Sequence, residues 1–338
     1  PANIQITFDS SPVTGWWSGT ATVTNIGGQT ANNLSVTESP MDGWSTTNTC
    51  STSLGANQSC TISVTFDGNC GRNSTLMVNV AYDGGNAGIG EATVAGLLAR
   101  RDVAAVHMIC RDPQRAEEAA KRIAKRVGRR PEIALADLAR PREVLRISRE
   151  LAASLPRIDR LILNAGGGGR TPAEQLTAAE MRAAFDLNVM GVAHFVEAAL
   201  PALLRQGAAR HEVGAGQGGH IVTIGSIAGF RGLPHAAAYG AAKAALINYT
   251  ESLRLDLAPR GIAVTLAAPG FIVSRDTRKK RSKPMAMALE PAADLLEAAI
   301  LARRSYVSFP ARLAWIARLL RLLPATLYDP LIRALDRR

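Results

Sequence analysis

The sequence predicts an α/β protein: a doubly wound parallel sheet preceded by a small all-β, sandwich-like module. Three observations predict it. Charge composition changes abruptly near residue 82. The hydrophobic pattern changes near residue 76, from short alternating strands to strands that alternate with helices. A glycine-rich run, Asp83-Gly84-Gly85-Asn86-Ala87-Gly88-Ile89-Gly90, stands between the first of those strands and the first of those helices.

The two compositions argue for two domains, 1–75 and 76–338. Residues 1–82 hold no Lys, one Arg (Arg72) and four acids (Asp9, Glu38, Asp42, Asp67). Their net charge is therefore −3, and the chain total of +11 leaves +14 for the rest. The pattern predicts strands over 4–8, 21–25, 34–38 and 61–66, punctuated by Gly27-Gly28, Pro40, Asp67-Gly68 and Asn73. No helical period interrupts them, which suits an incomplete antiparallel sandwich. Through "ATVTNIGGQTANNLSVT" and "CSTSLGANQSCTISVTF" this part resembles the immunoglobulin-like repeats of bacterial secreted proteins. That resemblance implies adhesion or spacing. Trp16 and Trp17 suit core packing or stacking on sugar rings. Cys50 and Cys60 suit a disulfide in an oxidising compartment, or free thiols with Cys70 in a reducing one. Their nine-residue spacing matches no zinc site, and no metal is expected.

From residue 76 the elements follow in order. The stretch 76–82 suits the sandwich and the parallel sheet equally, but cannot serve both. It is assigned to the parallel sheet, which needs it to aim the glycine loop. A helix over 88–100, a strand over 104–110, a charged helix over 113–127 and strands over 132–136 and 160–163 come next. Cys110 ends the second strand as a small buried hydrophobe. A long helix over 178–205, a Gly/Ala-rich loop over 207–219, a strand over 220–224, a helix over 237–258 and a strand over 263–267 complete the pattern. The chain shows no 18-residue apolar run, so no membrane-spanning helix is expected. It begins without a basic and apolar leader, so any signal peptide is absent or already removed.

Several pieces carry chemistry. Glycines after the first strand let backbone N–H groups approach a pyrophosphate at a helix N-terminus. Arg111 and Asp112 follow the second strand, where a base favours a 2′-phosphate and an acid a free ribose hydroxyl. Arg111 comes first and can form a forked pair with phosphate. Tyr239 and Lys243 lie four apart, on one helical face. An ammonium there favours the phenolate, which suits Tyr239 to proton transfer. Ser226 can hydrogen-bond a substrate oxygen.

Together these motifs resemble the short-chain dehydrogenase/reductase family, over residues 76–338, with a Rossmann-type dinucleotide-binding catalytic domain. Gly84, Gly88 and Gly90 match the family's Thr-Gly-x-x-x-Gly-x-Gly. Asp137-Leu138 matches its adenine-contacting pair, and Asn164-Ala165-Gly166 its Asn-Ala-Gly motif. Asn188 in "FDLNVMG", Ser226 in "IVTIGSIAG", and Tyr239 and Lys243 in "YGAAK" match the catalytic tetrad. Pro269-Gly270-Phe271-Ile272 matches the loop beside the nicotinamide, with Ser274 where Thr is usual. The resemblance implies a nicotinamide-dependent oxidoreductase acting on an alcohol or a carbonyl. It makes Gly84, Asn86, Gly88, Ile89, Gly90, Arg111, Asp137, Leu138, Asn164, Ala165, Gly166, Pro269, Gly270, Ile272 and Ser274 cofactor contacts. Tyr239 and Lys243 join them, Lys243 on the nicotinamide ribose, and Asn188 holds a water that links Lys243 to solvent. NADP is the expected cofactor, with NAD the alternative that Asp112 leaves open. One departure stands out: Asp83 replaces the family's Thr, placing a carboxylate near a pyrophosphate, where it weakens binding.

The tail, 309–335, is rich in Leu and Arg. Leu313, Ile316, Leu320 and Leu323 fall on one helical face, and Arg318 and Arg321 on another. It suits peripheral membrane contact, a cap on an apolar pocket, or packing in a homo-oligomer. The Lys/Arg-rich stretch 275–283 reads as a substrate loop. It lacks the interleaved aromatics of a nucleic-acid surface, so no nucleic acid is expected. The small-molecule partner is an apolar alcohol or carbonyl compound. The cytoplasm is the expected compartment for a soluble reduced cofactor, although the first module looks exported. The alternative function is an adhesion or carbohydrate-binding module joined to a catalytically impaired scaffold.

Overall fold

The computed structural model describes residues 4–13, 16–25, 31–32, 44–48, 53–54, 59–66, 74–79, 88–155, 157–212, 218–273 and 285–336. The chain divides into two compact units. Pro1–Asn73 with Glu212–Ala215 form one, and Ser74–His211 with Gly216–Arg338 form the other.

In the first unit β1 (Ile4–Val13), β2 (Trp16–Asn25), β4 (Trp44–Asn48) and β6 (Ser59–Phe66) form an antiparallel sheet in the order β1-β2-β6-β4. A short ladder joins β3 (Ala31–Asn32) to β5 (Ser53–Leu54). The strand expected over 34–38 lies outside the described residues, as do Cys50 and Cys70.

The second unit is built on β7 (Ser74–Asn79), β8 (Val103–Cys110), β9 (Glu132–Leu135), β10 (Arg160–Leu163), β11 (His220–Ile224), β12 (Ala263–Pro269) and β15 (Tyr306–Phe309). They form one seven-stranded sheet in the order β15-β12-β11-β10-β7-β8-β9, and β13 (Ile272–Val273) pairs with β14 (Met287–Ala288) in a separate ladder. Every pairing is parallel. The strand that suited either sheet pairs with β8 on one side and β10 on the other. The chain moves outward in one direction from β7 and in the other from β10, which makes that junction the topological switch point.

The helices α1 (Ile89–Ala99), α2 (Pro113–Val127) and α7 (Leu289–Leu301) contribute to one core. In it Val94, Leu97, Ile123 and Leu296 meet Ile162, Val222 and Ile224 of the sheet. A second core unites α3 (Pro141–Ser154), α5 (Gly191–Glu212) and α6 (Ala237–Leu257) with the alternate residues Leu161, Leu163, Ile221 and Val264. Successive strand side chains thus feed opposite faces. This explains why the strands read as unbroken apolar runs. The sequence signals for α2 act as expected of them. Asp112 accepts the Arg115 N–H at 3.0 Å, Pro113 opens the helix, and Gly128 ends it at φ 72°. Buried Glu91 of α1 takes a forked pair from Arg122 of α2, at 2.9 Å on each oxygen.

Some elements differ from the sequence expectation. The long helix is interrupted: α4 (Ala178–Phe185) passes into one π turn, Asp186–Met190, before α5. α5 runs through Glu212, so the first part of the expected 207–219 loop is helical. Ala178–Gln206 is long and apolar enough to cross a membrane, with mean hydropathy 1.5. That departs from the expectation of no such segment. Its Val192, Phe195, Val196, Ala199 and Leu203 are buried in the second core, the composition of a helix packed on a sheet.

The tail forms α8 (Ala311–Leu322) and α9 (Ala325–Asp336). Of the apolar face read from the sequence, only Ile316 departs from the side turned to the protein. Ala314 is buried, Leu313, Ala317, Leu320 and Leu323 are half-buried, and Ile316 is exposed. Arg318, on the other face in that reading, stacks over the Tyr306 ring at 4.3 Å. Arg231 donates to the carbonyl oxygens of Leu320, Arg321 and Leu323 and lies 4.0 Å over the Tyr328 ring. The Tyr328 hydroxyl donates to the Gly232 carbonyl.

Candidate active site

In a parallel sheet the loops after the strands gather at one edge, and the candidate residues lie on those loops. Gly88 precedes α1, with Ile89 and Gly90 in its first turn. Gly84 and Asn86 lie outside the described residues, as do Asp83 and Ser274. Arg111 follows β8 and Asp137 follows β9. Asn164, Ala165 and Gly166 follow β10, and Ser226 follows β11. Pro269 ends β12, and Gly270 and Ile272 come just beyond it. Tyr239 and Lys243 occupy the first turns of α6.

Lys243 is 2% exposed. Its ammonium donates to the Ile224 carbonyl at 2.8 Å and lies 5.8 Å from the centre of the Tyr239 ring. Burial pushes its pKa down from 10.5 to about 7. Asn188 is wholly buried in the π turn. Its Nδ2 donates to the carbonyls of Gly167 and Ala184, each at 2.8 Å, and its Oδ1 accepts the Gly167 N–H at 3.2 Å. The Asn188 side chain therefore holds the loop after β10 in place.

Two glycines of that loop show how closely the parts approach. A methyl group at Gly166 would lie 2.5 Å from Lys243 Nζ and 2.8 Å from Asn188 Oδ1. One at Gly168 would lie 2.6 Å from Tyr239 Cδ2. Only a residue without a Cβ admits the ring at that distance. Gly168→Ala is therefore expected to displace Tyr239 and lower kcat about tenfold or more. Steady-state kinetics beside a thermal melt check this: a fall in kcat with an unchanged melt supports the contact, and an unchanged kcat refutes it.

Ser226 sits on extended backbone and starts the turn Ile227–Gly229. Its Oγ accepts the Ala228 N–H at 3.2 Å and donates to the Pro269 carbonyl at 3.4 Å. Gly229 of that turn packs on the backbone of Lys243, where a methyl group would come within 2.7 Å. The serine turn thus rests on the helix that carries the tyrosine and lysine.

A cleft of about 490 Å³ is lined by Arg111, Asp137, Gly167, Gly168, Leu176 and Tyr239, among others. Asp112, the rival reader of the ribose, caps α2 and pairs with Arg115. Asp137 accepts the Ala139 N–H and pairs with Arg140, and Leu138 is buried behind it. Sequence reasoning missed Gly167, Gly168 and the Ile224 carbonyl. The run Gly166–Gly169 was a visible signal for the first two. A backbone acceptor leaves none.

A switch-point cleft with a basic residue after the second strand and a Tyr/Lys pair on a helix defines a dinucleotide-binding oxidoreductase of the doubly wound class. The short chain dehydrogenase family model matches residues 79–285. An uncharacterized oxidoreductase of Myxococcus xanthus is 35% identical over 253 residues, 75% of this chain and 95% of that protein. Carbonyl reductase family member 4 of Xenopus tropicalis is 35% identical over 57% of this chain and 74% of its own. The solved short-chain dehydrogenase from Sphingobium yanoikuyae, in complex with NADPH, superposes with a TM-score of 0.59 at 27% identity. It covers 78% of this chain and 94% of its own. The chain belongs to the short-chain dehydrogenase family and is an NAD(P)-dependent oxidoreductase acting on an alcohol or a carbonyl. Nothing in these likenesses supports the impaired-scaffold alternative.

Proposed function

We propose that this protein transfers a hydride between NADP(H) and an apolar alcohol or ketone, with Tyr239 as the general acid and base. The observation that carries this reading is the assembly around Gly166–Gly168. There a buried Lys243, the Tyr239 ring and Asn188 meet on one loop, beside a cleft that reaches Arg111.

The residues present fit a nicotinamide dinucleotide. The first turn of α1 has no side-chain cap, so its N–H groups suit a pyrophosphate. Arg111 suits a 2′-phosphate, and Asp137 with Leu138 suits an adenine. Lys243, one turn along α6 from Tyr239, would hold the nicotinamide ribose. Asn164, Ala165, Pro269, Gly270 and Ile272 would border the nicotinamide side. When bound, the cofactor supplies or accepts the hydride.

The chain's own residues handle the proton and the orientation. The Ser226 hydroxyl, held between Ala228 and Pro269, donates to the substrate oxygen. The Tyr239 hydroxyl gives that oxygen a proton in reduction and takes it back in oxidation. Protonated Lys243 favours the phenolate and holds the ribose. Asn188 fixes the Gly167 backbone that shapes the cleft floor and, by family likeness, orders a water near Lys243. An apolar substrate suits Ile227 and Leu313, each placed so that a methyl group at Gly270 would lie 3.0 Å away. Carbonyl reductase family member 4 carries a carbonyl substrate in its name. The reading locates the activity in the cytoplasm, in a homo-oligomer.

NADPH fluorescence titration joined to turnover of apolar ketones tests this. Binding with ketone-dependent NADPH oxidation supports it; absence of both refutes it. Arg111→Ala is expected to weaken NADPH binding about tenfold to a hundredfold and leave NADH binding near its starting value, since one charge-assisted pair with phosphate is lost. Equal weakening of both cofactors would reassign Arg111 to a structural role.

A further inference from the structure

The last two helices leave a long apolar surface that the fold does not use. On α8, Trp315, Leu319 and Leu322 are 64%, 61% and 79% exposed, with Ile316 beside them. On α9, Leu327, Leu331 and Leu335 are exposed in the same way. Spacings of four and three residues, then four and four, put each set on one stripe of its helix. Scattered exposed leucines are ordinary; two consecutive helices each presenting a stripe are not.

A basic cleft of about 280 Å³ adjoins α8. Arg254, Arg318 and Arg321 line it with Phe230, Tyr306 and a single acid, Glu251. The Tyr306 hydroxyl is buried and finds no hydrogen-bond partner among the described residues. Leu255, next to Arg254, is also exposed. Phosphate-binding chemistry and apolar side chains therefore share one edge of the domain.

We propose that the α8–α9 tail docks on an anionic lipid bilayer, with its stripes in the headgroup boundary and Arg254, Arg318 and Arg321 taking lipid phosphates. Charge selects this occupant over a second copy of the chain. α8 and α9 carry Arg312, Arg318, Arg321 and Arg333 against Asp329 and Asp336. A two-fold contact through the stripes would bring the same positive excess together, whereas an anionic leaflet neutralises it. Trp315 at the start of the first stripe suits the interface, where an amphipathic ring is favoured.

Cosedimentation of the full chain with vesicles tests the proposal. Binding is expected to vesicles of equal parts phosphatidylglycerol and phosphatidylcholine, weakening in about 0.5 M salt, and to be slight with phosphatidylcholine alone. Leu319→Glu with Leu322→Glu should lower the bound fraction at least about tenfold, since apolar burial is lost and two carboxylates face an anionic surface. Both side chains point to solvent, so the thermal melt should not move. Arg254→Ala with Arg321→Ala should remove the preference for phosphatidylglycerol. No binding to either vesicle, or binding that the glutamates leave intact, overturns the proposal. So does a dimer in sedimentation velocity that the glutamates dissociate without any vesicle binding, which would assign the stripes to a second copy.

Discussion

Tyr239→Phe is expected to lower kcat by roughly 10²–10⁴-fold, the range for losing a positioned general acid and base. The ring keeps its place against Gly168, because Phe retains every ring atom that the glycine admits. Lys243 keeps its bond to the Ile224 carbonyl. Only the hydroxyl leaves, so NADPH affinity should stay within a few-fold of wild type. The informative result is therefore a split: binding retained and turnover lost. A variant that turns over ketone at near the wild-type rate would remove Tyr239 from the chemistry altogether. Loss of binding together with turnover would point instead to a structural role for the hydroxyl.

Lys243→Met should be comparably damaging to turnover, by roughly 10²–10³-fold, as for removal of one preorganised charge. It should also leave a mark on stability that no ordinary core substitution would. Burial pushes the lysine down from 10.5 to about 7. Between those values the unfolded chain binds a proton at this position that the folded chain does not. Stability must then rise with pH across that window and be lowest below pH 7, where the folded protein carries a buried charge. The span corresponds to roughly 4–5 kcal/mol. Methionine cannot titrate. The stability of the variant minus that of wild type should therefore be most favourable near pH 6 and shrink toward pH 10. Denaturant melts of the cofactor-free pair at a series of pH values measure this difference directly. A difference that stays flat from pH 6 to pH 10 would mean that Lys243 is not desolvated in the folded state.

The sequence showed the central strands and their order of appearance because each is an apolar run bounded by polar turns. The bounds of α2 were legible from its charged pattern, and Asp112, Pro113 and Gly128 account for them in the structure. Ser226, Tyr239 and Lys243 were visible as residue types at fixed spacings. What it could not settle were matters of partnership. The stretch that became β7 alternates well enough for either sheet, and only its two parallel neighbours decide. β15, α3 and α7 went unassigned, although Val144, Ile147 and Leu151 mark the buried side of α3. On α8 the apolar spacing picked out Leu313, Leu320 and Leu323, which are half-buried, but not the smaller Ala314, which is buried. In the site, side-chain chemistry was readable and backbone chemistry was not. The carbonyl that receives Lys243 belongs to an isoleucine, and the loop held by Asn188 is glycine.

Arg231 sits between the serine and the tyrosine in the chain, yet its three acceptors are the final carbonyls of a tail helix. One guanidinium thus rivets the last segment of the protein to the stretch that spaces its two hydroxyls. Shortening the chain before α8 would strip that cation of its partners and loosen the spacer from below. The terminal helices and the stretch from Ser226 to Tyr239 are therefore expected to exchange their amide hydrogens as a single cooperative block.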